Sequence, residues 1–544
     1  MPVDGTLKYG IPTTPRARCF WHHGDVFSGY STSLVAKRRD DSRTRSAHAL
    51  LDPLIVAVLG TVVSLAGAGR PSFWYDEAAT ISASYSRSLS QLWQMLHNVD
   101  AVEGLYYVFM HGWFKVFAPT EFWSRVPSGL AVGGAAAGIV VLGKQFSTRT
   151  VALASGVVCA ILPRATWAGV EARPYALSMM AAVWVTVLLI RATRRDNASV
   201  WLFYGLVLAV CVFLDVYLIL LSLVHLAFIC LFLRSRPVVI RFALTSVLTG
   251  CAVAPLLIAA AGQTQQISWV APIGHRTIED VAIQQYFERS PPFTIVSALI
   301  VATAISLWLF TSARLNKADR QLLTLAIGWL AIPTALIVTW SAWVHPIYTP
   351  RYLCFTAPAV ALVLGVCIGA LAVAPWVAPV IVTALAVAAA PNYVLVQRSQ
   401  YAKYGMDYSQ VADLITAKAA PGDCLLVNDT VTFMPAPMRP LMAARPDAYR
   451  KLVDLTLWQR AADHNAVFDT NLIPEVVAKP LSHCGVVWII TQADKTRPDH
   501  EQAPMLPPGD SFGATTSFAV PYGLGFRLVE RWQFNLVQVI KAVR

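Results

Sequence analysis

The sequence predicts a polytopic α-helical membrane protein with a small C-terminal α/β domain, and three observations carry that reading. Of its 544 residues, 56% are hydrophobic and 14% charged, against about 25% charged in soluble domains, and the mean hydropathy is +0.53. About eleven apolar stretches of roughly 17 to 24 residues recur along the chain, the length that crosses the hydrocarbon of a bilayer. The basic residues fall in short clusters between these stretches. The net charge of +12 therefore reads as the charge bias that orients membrane helices and not as a nucleic-acid surface.

Residues 1–49 are polar, with Gly, Pro, Ser and basic residues, and read as a disordered cytoplasmic tail. No apolar core soon follows the basic start, as a signal peptide would require. Lys37, Arg38, Arg39, Arg43 and Arg45 lie directly before the first span and hold the N-terminus inside. The membrane part, 50–396, begins with a span from Leu50 to Ala68 that exits outward. A long outer loop, 69–123, follows, in which Leu89–Gln94 and Leu105–Phe117 read as helices lying along or dipping into the membrane surface. Taking Leu105–Phe117 as a full span would send the basic segment Gly143–Thr150 outward, against the charge rule.

The second span, Arg125–Leu142, returns to Lys144 and Arg149, and the third, Val151–Trp167, goes out to a turn at Glu171–Pro174. The fourth, Tyr175–Ile190, comes back to Arg191, Arg194 and Arg195. Trp201–Asp215 and Val216–Leu233 form a hairpin returning to Arg234, Arg236 and Arg241. Phe242–Ala261 leads to an outer loop from Gln263 to Pro292, and Phe293–Ser312 returns to Arg314, Lys317 and Arg320. Leu322–Trp343 exits at Val344–Tyr348. Tyr352–Val373 and Trp376–Val396 leave the chain outside. This assignment puts every dense basic cluster inside and both acidic loop motifs outside.

From Gln397 the character changes. Cys424–Val427 and Val486–Thr491 are short apolar runs bounded by Gly, Asp and Asn, which read as buried strands of an extracytoplasmic α/β domain, 397–544, of about 140 residues. The nine cysteines show no metal-ligand spacing, and Cys159, Cys211, Cys230, Cys251, Cys354 and Cys367 lie in apolar segments where cysteine acts as a small hydrophobe. Cys424 and Cys484 each precede a strand. An oxidising outer location allows a disulfide between them, but spacing leaves two separate buried thiols equally open.

Four polar groups converge on the outer side: Asp76–Glu77, Asp100 with Glu103, Glu171–Tyr175 and Pro350–Tyr352. A carboxylate at a membrane-level cleft can take a proton from an incoming hydroxyl. An arginine, always charged and able to bind two oxygens at once, suits a phosphate. A base beside a phosphate clamp is what glycosyl transfer from a lipid phosphate requires. Each group also has a plainer reading: a solvated loop for the acids, snorkelling to headgroups for Arg173 and Arg351, and a Glu171–Arg173 pair. His111 and His345 read as packed or interfacial, and Asp215 as a structural ion or helix-end contact outside the site.

These motifs resemble those of the GT-C membrane glycosyltransferases, within which they are most similar to the protein O-mannosyltransferase-like branch (glycosyltransferase family 39) and its actinobacterial relatives. Asp76–Glu77 looks like the acidic motif of the first outer loop. Gly104-Leu105-Tyr106-Tyr107, Arg125-Val126-Pro127-Ser128, Glu171-Ala172-Arg173-Pro174-Tyr175-Ala176-Leu177 and Pro350-Arg351-Tyr352-Leu353 are the further matches. The resemblance covers residues 50 to 400 and implies a polyprenyl-phosphate-sugar donor used on the outer face, with inversion at the anomeric carbon. It implies Asp76 as base with Glu77 in support or in exchange. Arg351 would be the donor-phosphate contact with Arg173 near it, and Tyr106, Tyr107, Glu171, Tyr175, Tyr348 and Tyr352 would be substrate contacts. Where many relatives have His-Pro-Pro, this chain has Val102-Glu103-Gly104, so Glu103 stands as a third acid. Some GT-C enzymes use a divalent metal. The resemblance implies metal-free base catalysis here, with Asp76, Glu77 and Glu103 as the alternative oxygen-ligand set.

The Ala-, Val- and Arg-rich usage hints at a high-GC actinobacterial source, which suits a decaprenyl-phosphate donor carrying mannose, or else arabinose. The expected partners are that lipid-linked donor, membrane lipid, and a glycolipid, glycan or protein acceptor of the cell envelope, at the plasma membrane. The alternative function is a non-catalytic lipid-carrier transporter, flippase or polyprenyl-phosphate-binding protein. Transporters often show internal repeats and acids near mid-span, whereas here no repeat is evident and the acids lie at span ends.

Overall fold

A computed structural model describes residues 50–195, 197–233, 235–311, 315–427, 439–493, 502–504 and 516–544. The cytoplasmic-tail reading for residues 1–49 lies outside them. Among the described residues, seven helices are long and apolar enough to cross a membrane: Glu121–Phe146, Tyr175–Arg195, Arg236–Gly262, Pro291–Phe310, Lys317–Trp343, Pro350–Leu371 and Val377–Val396. Four shorter apolar helices, Leu50–Leu65, Arg149–Ile161, Ala198–Leu214 and Val216–Phe232, complete the set, and together they match the spans read from the sequence one for one.

Burial separates a central group from a peripheral one. In Glu121–Phe146 and Pro350–Leu371 the most apolar stretch is 78% and 83% buried, whereas in Pro291–Phe310 and Val377–Val396 it is 22% in each. The peripheral helices expose residues such as Leu244, Leu248, Leu299 and Leu309, a surface that suits hydrocarbon and not water. At the centre, small residues bring backbones together. A Cβ on Gly133 would sit 2.5 Å from the Ala57 carbonyl oxygen, and one on Gly365 would fall 1.9 Å from Ser155 Oγ.

Polar contacts show which helix ends lie together. Asp52 binds Lys144 Nζ at 2.7 Å and Arg149 Nη2 at 2.7 Å, Ser147 Oγ donates to Asp319, and Arg194 Nη2 donates to the Gln145 carbonyl at 2.8 Å. The basic ends thus share one end of the bundle. The segment after the first helix reaches the other end.

Two expectations are corrected there. Asp76 and Glu77 lie in the first turn of a helix, Tyr75–Ser84, and not in an irregular loop. The two helices read within the long connection are present, as Leu89–Asn98 and Gly104–Trp113. The first of these starts with a capping box, Ser88 accepting from the Gln91 N–H while Gln91 reaches back to Ser88. The third span is also broken, since Arg149–Ile161 stops and Pro163–Ala168 begins anew. Pro163 has no N–H to continue the ladder, and its carbonyl accepts from Gln397 Nε2 at 2.9 Å.

Beyond Val396 the chain builds a six-stranded sheet in the order β2-β1-β5-β8-β7-β6. Its strands are β1 (Cys424–Val427), β2 (Val453–Asp454), β5 (Val486–Gln492), β6 (Gln502–Pro504), β7 (Arg527–Gln533) and β8 (Val537–Val543). A separate two-stranded ladder pairs β3 (Leu457–Gln459) with β4 (Thr470–Asn471). β1 runs parallel to β2 and β5, and β8 pairs antiparallel with both β5 and β7. Helix Tyr408–Lys418 covers one face through Val411, Ala412 and Ile415, which pack with Leu425, Trp488 and Trp532. The two strands read from the sequence are β1 and β5. The β7–β8 hairpin escaped notice because charged and polar residues (Glu530, Arg531, Gln533, Gln538) interrupt its apolar pattern.

Cys424 and Cys484 form a disulfide, which settles the pairing that spacing left open. It closes a loop of 60 residues, worth about 4 kcal/mol of unfolded-state entropy in the chain-entropy estimate. Alkylation of the folded, non-reduced protein is expected to leave these two thiols unlabelled. Cys424→Ser is expected to lower the unfolding midpoint of the whole chain, and labelling of both cysteines without reductant would refute the pairing.

Candidate functional site

Two buried ion pairs organise the end of the bundle that carries the acidic motif. Arg125, on helix Glu121–Phe146, has no exposed surface. Its Nε and Nη2 donate to Glu77 Oε1 and Oε2 at 2.8 and 2.6 Å. Its remaining donors reach the carbonyls of Ala68, Pro71 and Ser72 at 2.7, 2.8 and 3.1 Å. Glu77 Oε1 also accepts from the Ala172 N–H at 2.9 Å. One ion pair thereby ties the first helix exit, the acidic helix and the 171–175 turn together. Glu77 has no exposed surface.

The second pair is Lys403 with Glu171. Glu171 also accepts from Trp74 Nε1 at 2.8 Å. Burial pushes the Glu171 carboxyl up, against the pull of Lys403, and the Lys403 ammonium down. Glu171 therefore pairs with a residue from beyond the last span and not with Arg173, and it too stands behind the site.

Asp76, one residue from Glu77 and so about 100° around the helix, faces a different side. It lines a cavity of about 470 Å³ together with Tyr75, Asp100, Glu103, Arg173, Tyr175, Asp215, Arg351 and Tyr352. Arg351 Nη2 lies 3.5 Å from Asp76 Oδ2. The Arg351 guanidinium is walled by the rings of Trp74, Trp269 and Tyr352, at 5.4, 4.9 and 5.7 Å, and Nη1 donates to Tyr404 Oη at 3.3 Å.

Arg173 Nη2 donates to Glu103 Oε1 at 2.7 Å and Nη1 to Tyr107 Oη at 3.1 Å. Tyr107 in turn donates to Asp100 Oδ2 at 2.8 Å. Asp100 adopts a left-handed conformation, φ 58°, one that aspartate tolerates. Its backbone N–H is caught by Gln266 Oε1 at 2.9 Å. Buried atoms on four cavity residues, Glu103 Oε2, Arg173 Nε, Arg351 Nε and Tyr175 Oη, have no hydrogen-bond partner. Buried polar atoms are nearly always paired, so these have capacity for a polar ligand.

Of the residues expected from the sequence, the fold brings Asp76, Glu103, Arg173, Tyr175, Arg351 and Tyr352 to this cavity. Tyr107 supports it from behind. Tyr106 is buried in the cluster of Phe73, Ile81 and Met110. Tyr348 donates to Gln285 Oε1 at 3.1 Å and lines a neighbouring cavity of about 490 Å³. Asp76, Glu77 and Glu103 are not assembled as one ligand set, because Glu77 is taken by Arg125. Among the described residues no group of three His, Cys, Asp or Glu side chains is arranged to hold a metal ion.

Several lining residues were missed. Asp215, read as structural, faces the cavity, as do Trp269 and Gln266 from the 263–290 loop and Phe468 from the C-terminal part. Phe468 packs edge-on to Tyr75 at 5.0 Å. The position of Asp215 at a span end was a usable signal for it, but no local pattern marks Phe468.

No protein-family model and no curated protein matches this chain. Solved structures do. ArnT from Cupriavidus metallidurans in the apo state superposes with a TM-score of 0.54 at 14% identity, over 91% of this chain and 98% of that one. The same protein bound to undecaprenyl phosphate gives 0.53 at 12%, over 90% and 97%. An oligosaccharyltransferase from Archaeoglobus fulgidus gives 0.44 at 10%, over 82% and 69%. The ArnT likeness shows that this chain shares that fold over most of its length.

Two outcomes are expected from these pairs. Arg125→Met leaves the Glu77 charge buried without a partner, a loss of about 3–5 kcal/mol. Thermal unfolding in detergent should register it, and an unchanged midpoint would remove Arg125 as the organising contact. Burial raises the Glu103 carboxyl from 4.5 to about 7 although Arg173 pulls it down. A raised acid binds its proton more tightly in the folded chain. Its contribution to stability is therefore full below pH 4.5 and is lost as the pH rises toward about 7. Glu103→Gln should flatten the unfolding midpoint across that window, and slopes identical to the native protein would contradict the assignment.

Proposed function

We propose that this chain is a multi-pass membrane glycosyltransferase that moves one sugar from a polyprenyl-phosphate carrier to a cell-envelope acceptor. The observation that carries the reading is the juxtaposition of Asp76 and Arg351 in one cavity, 3.5 Å apart, with unpaired polar atoms around them. The charge bias of the helix ends supports an orientation with this cavity at the outer face and the C-terminal domain outside. The GT-C fold shared with ArnT, a protein solved with undecaprenyl phosphate bound, supports a lipid phosphate as the carrier.

In this reading the donor phosphate lies against the Arg351 guanidinium, with Arg173 on the same cavity wall. Asp76 takes the proton of the acceptor hydroxyl as its oxygen attacks the anomeric carbon. The new C–O bond forms on the face opposite the departing phosphate oxygen, so the configuration inverts. The bond to phosphate breaks with its electron pair, and the arginine stabilises the negative charge that develops there. Glu77 is committed to Arg125, which leaves the proton to Asp76. The aromatic walls offer flat apolar faces for a sugar ring. Mannose is the sugar assigned here, with arabinose as the other candidate, and both rest on the motif resemblance. A glycolipid, glycan or protein hydroxyl would serve as acceptor.

Asp76→Asn keeps the shape of the side chain and removes the base. Transfer from polyprenyl-phosphate mannose in membranes should fall by about a hundredfold to ten-thousandfold. A variant with full activity would eliminate Asp76 as the base.

A further inference from the structure

Between the last membrane helix and helix Tyr408–Lys418 the chain makes a short turn whose conformation is unusual. Tyr404 has φ 54° and Gly405 φ 79°, two successive left-handed residues. A bulky residue is strained in that region, and such strain persists where surrounding contacts over-determine it. The contacts come from the far end of the chain, at the tip of the β7–β8 hairpin. Asn535 Nδ2 donates to the Gly405 carbonyl at 2.6 Å, and the N–H groups of Leu536 and Val537 donate to Asp407 Oδ2 at 2.7 and 2.9 Å. A Cβ on Gly405 would lie 2.7 Å from Asn535 Nδ2, so the hairpin requires glycine there twice over.

The other side of the same turn meets the arginine of the cavity. Tyr404 packs on the Trp74 ring at 4.7 Å, and its hydroxyl accepts from Arg351 Nη1 at 3.3 Å. Lys403 holds Glu171, Glu171 holds the Trp74 indole N–H at 2.8 Å, and the Trp74 ring stands 5.4 Å from the Arg351 guanidinium. The turn therefore reaches Arg351 by two routes: a direct hydrogen bond accepted by Tyr404 and, from the preceding Lys403, an ion pair relayed through the Trp74 indole.

We infer that Tyr404 and Lys403 are positioning residues for Arg351, and that the C-terminal sheet acts in the reaction by clamping their turn through Asn535 and Asp407. The inference rests on the reading in which Arg351 meets the donor phosphate. The sheet region is then part of the anion site and not an appendage, because a guanidinium held in one orientation needs no reordering when phosphate arrives.

The test uses the full-length protein in nanodiscs, with decaprenyl phosphate as the probe. Tyr404→Phe removes one hydroxyl, and Asn535→Ala removes the arm of the clamp that holds the Gly405 carbonyl, without touching the cavity. Each is expected to weaken binding about three- to tenfold, the scale of one lost ordinary hydrogen bond. The double variant is expected to be no weaker than the more affected single one, since both act along one route. Lys403→Arg should bind as the native protein does, and Lys403→Met should not. Unfolding midpoints separate positioning from folding, and Tyr404→Phe is expected to keep the native midpoint while binding more weakly. Native binding by both Tyr404→Phe and Asn535→Ala would overturn the inference, as would weakening that appears only together with a lowered midpoint. Arg351→Gln tells the two readings apart. If it binds decaprenyl phosphate normally, the donor-phosphate contact itself is wrong. If it loses binding while the turn variants do not, only the positioning role falls.

Discussion

The buried pair of Arg125 and Glu77 is the contact on which the candidate site depends. Two charges taken out of water are tolerated only when every donor and acceptor is met, and here they are. Five hydrogen bonds from the guanidinium reach Glu77 and the carbonyls of Ala68, Pro71 and Ser72. Glu77 also takes the Ala172 N–H. The exit of the first helix, the acidic helix and the 171–175 turn are thereby held in one register. Helical geometry does the rest, because anchoring Glu77 inward sets the direction in which its neighbour Asp76 points.

Around that anchor the remaining charges sort by what they are free to do. Glu171 is spent on Lys403 and Trp74, and Asp52 on Lys144 and Arg149 at the opposite end. Asp76, Glu103, Asp215, Arg173 and Arg351 share a cavity in which hydrogen-bonding capacity is left over. An arginine enclosed by Trp74, Trp269 and Tyr352 is weakly hydrated and rigid. That suits a guanidinium to an anionic ligand. The same enclosure draws on three distant parts of the chain, which is how a loop, a helix end and a motif after a span come to act on one group.

The C-terminal sheet is continuous with this arrangement. Arg87 donates to the carbonyls of Ala461, Ala466 and Val467, which seats Phe468 at the cavity wall. The hairpin between β7 and β8 meanwhile grips the turn beneath Arg351. Contacts this long in sequence separation link the C-terminal sheet region to the helical bundle through hydrogen bonds to or from the backbone, which leave no motif to read.

By itself the sequence determined the membrane spans, since hydrocarbon thickness and the cost of charge within it act on composition and length alone. It also marked the acidic pair, the two arginine motifs and the first and central strands of the sheet, because each is a local pattern. Tertiary structure decided what those patterns do. Adjacency in sequence could not say which of Asp76 and Glu77 faces a cavity, because the answer lies in Arg125, 48 residues away from Glu77. It could not give Glu171 its partner, which is Lys403 and not the neighbouring Arg173, nor place Asp215 and Phe468 on the wall. Ion pairing and burial are set by which groups meet in space, and in this chain the decisive meetings join residues that no periodicity or spacing connects.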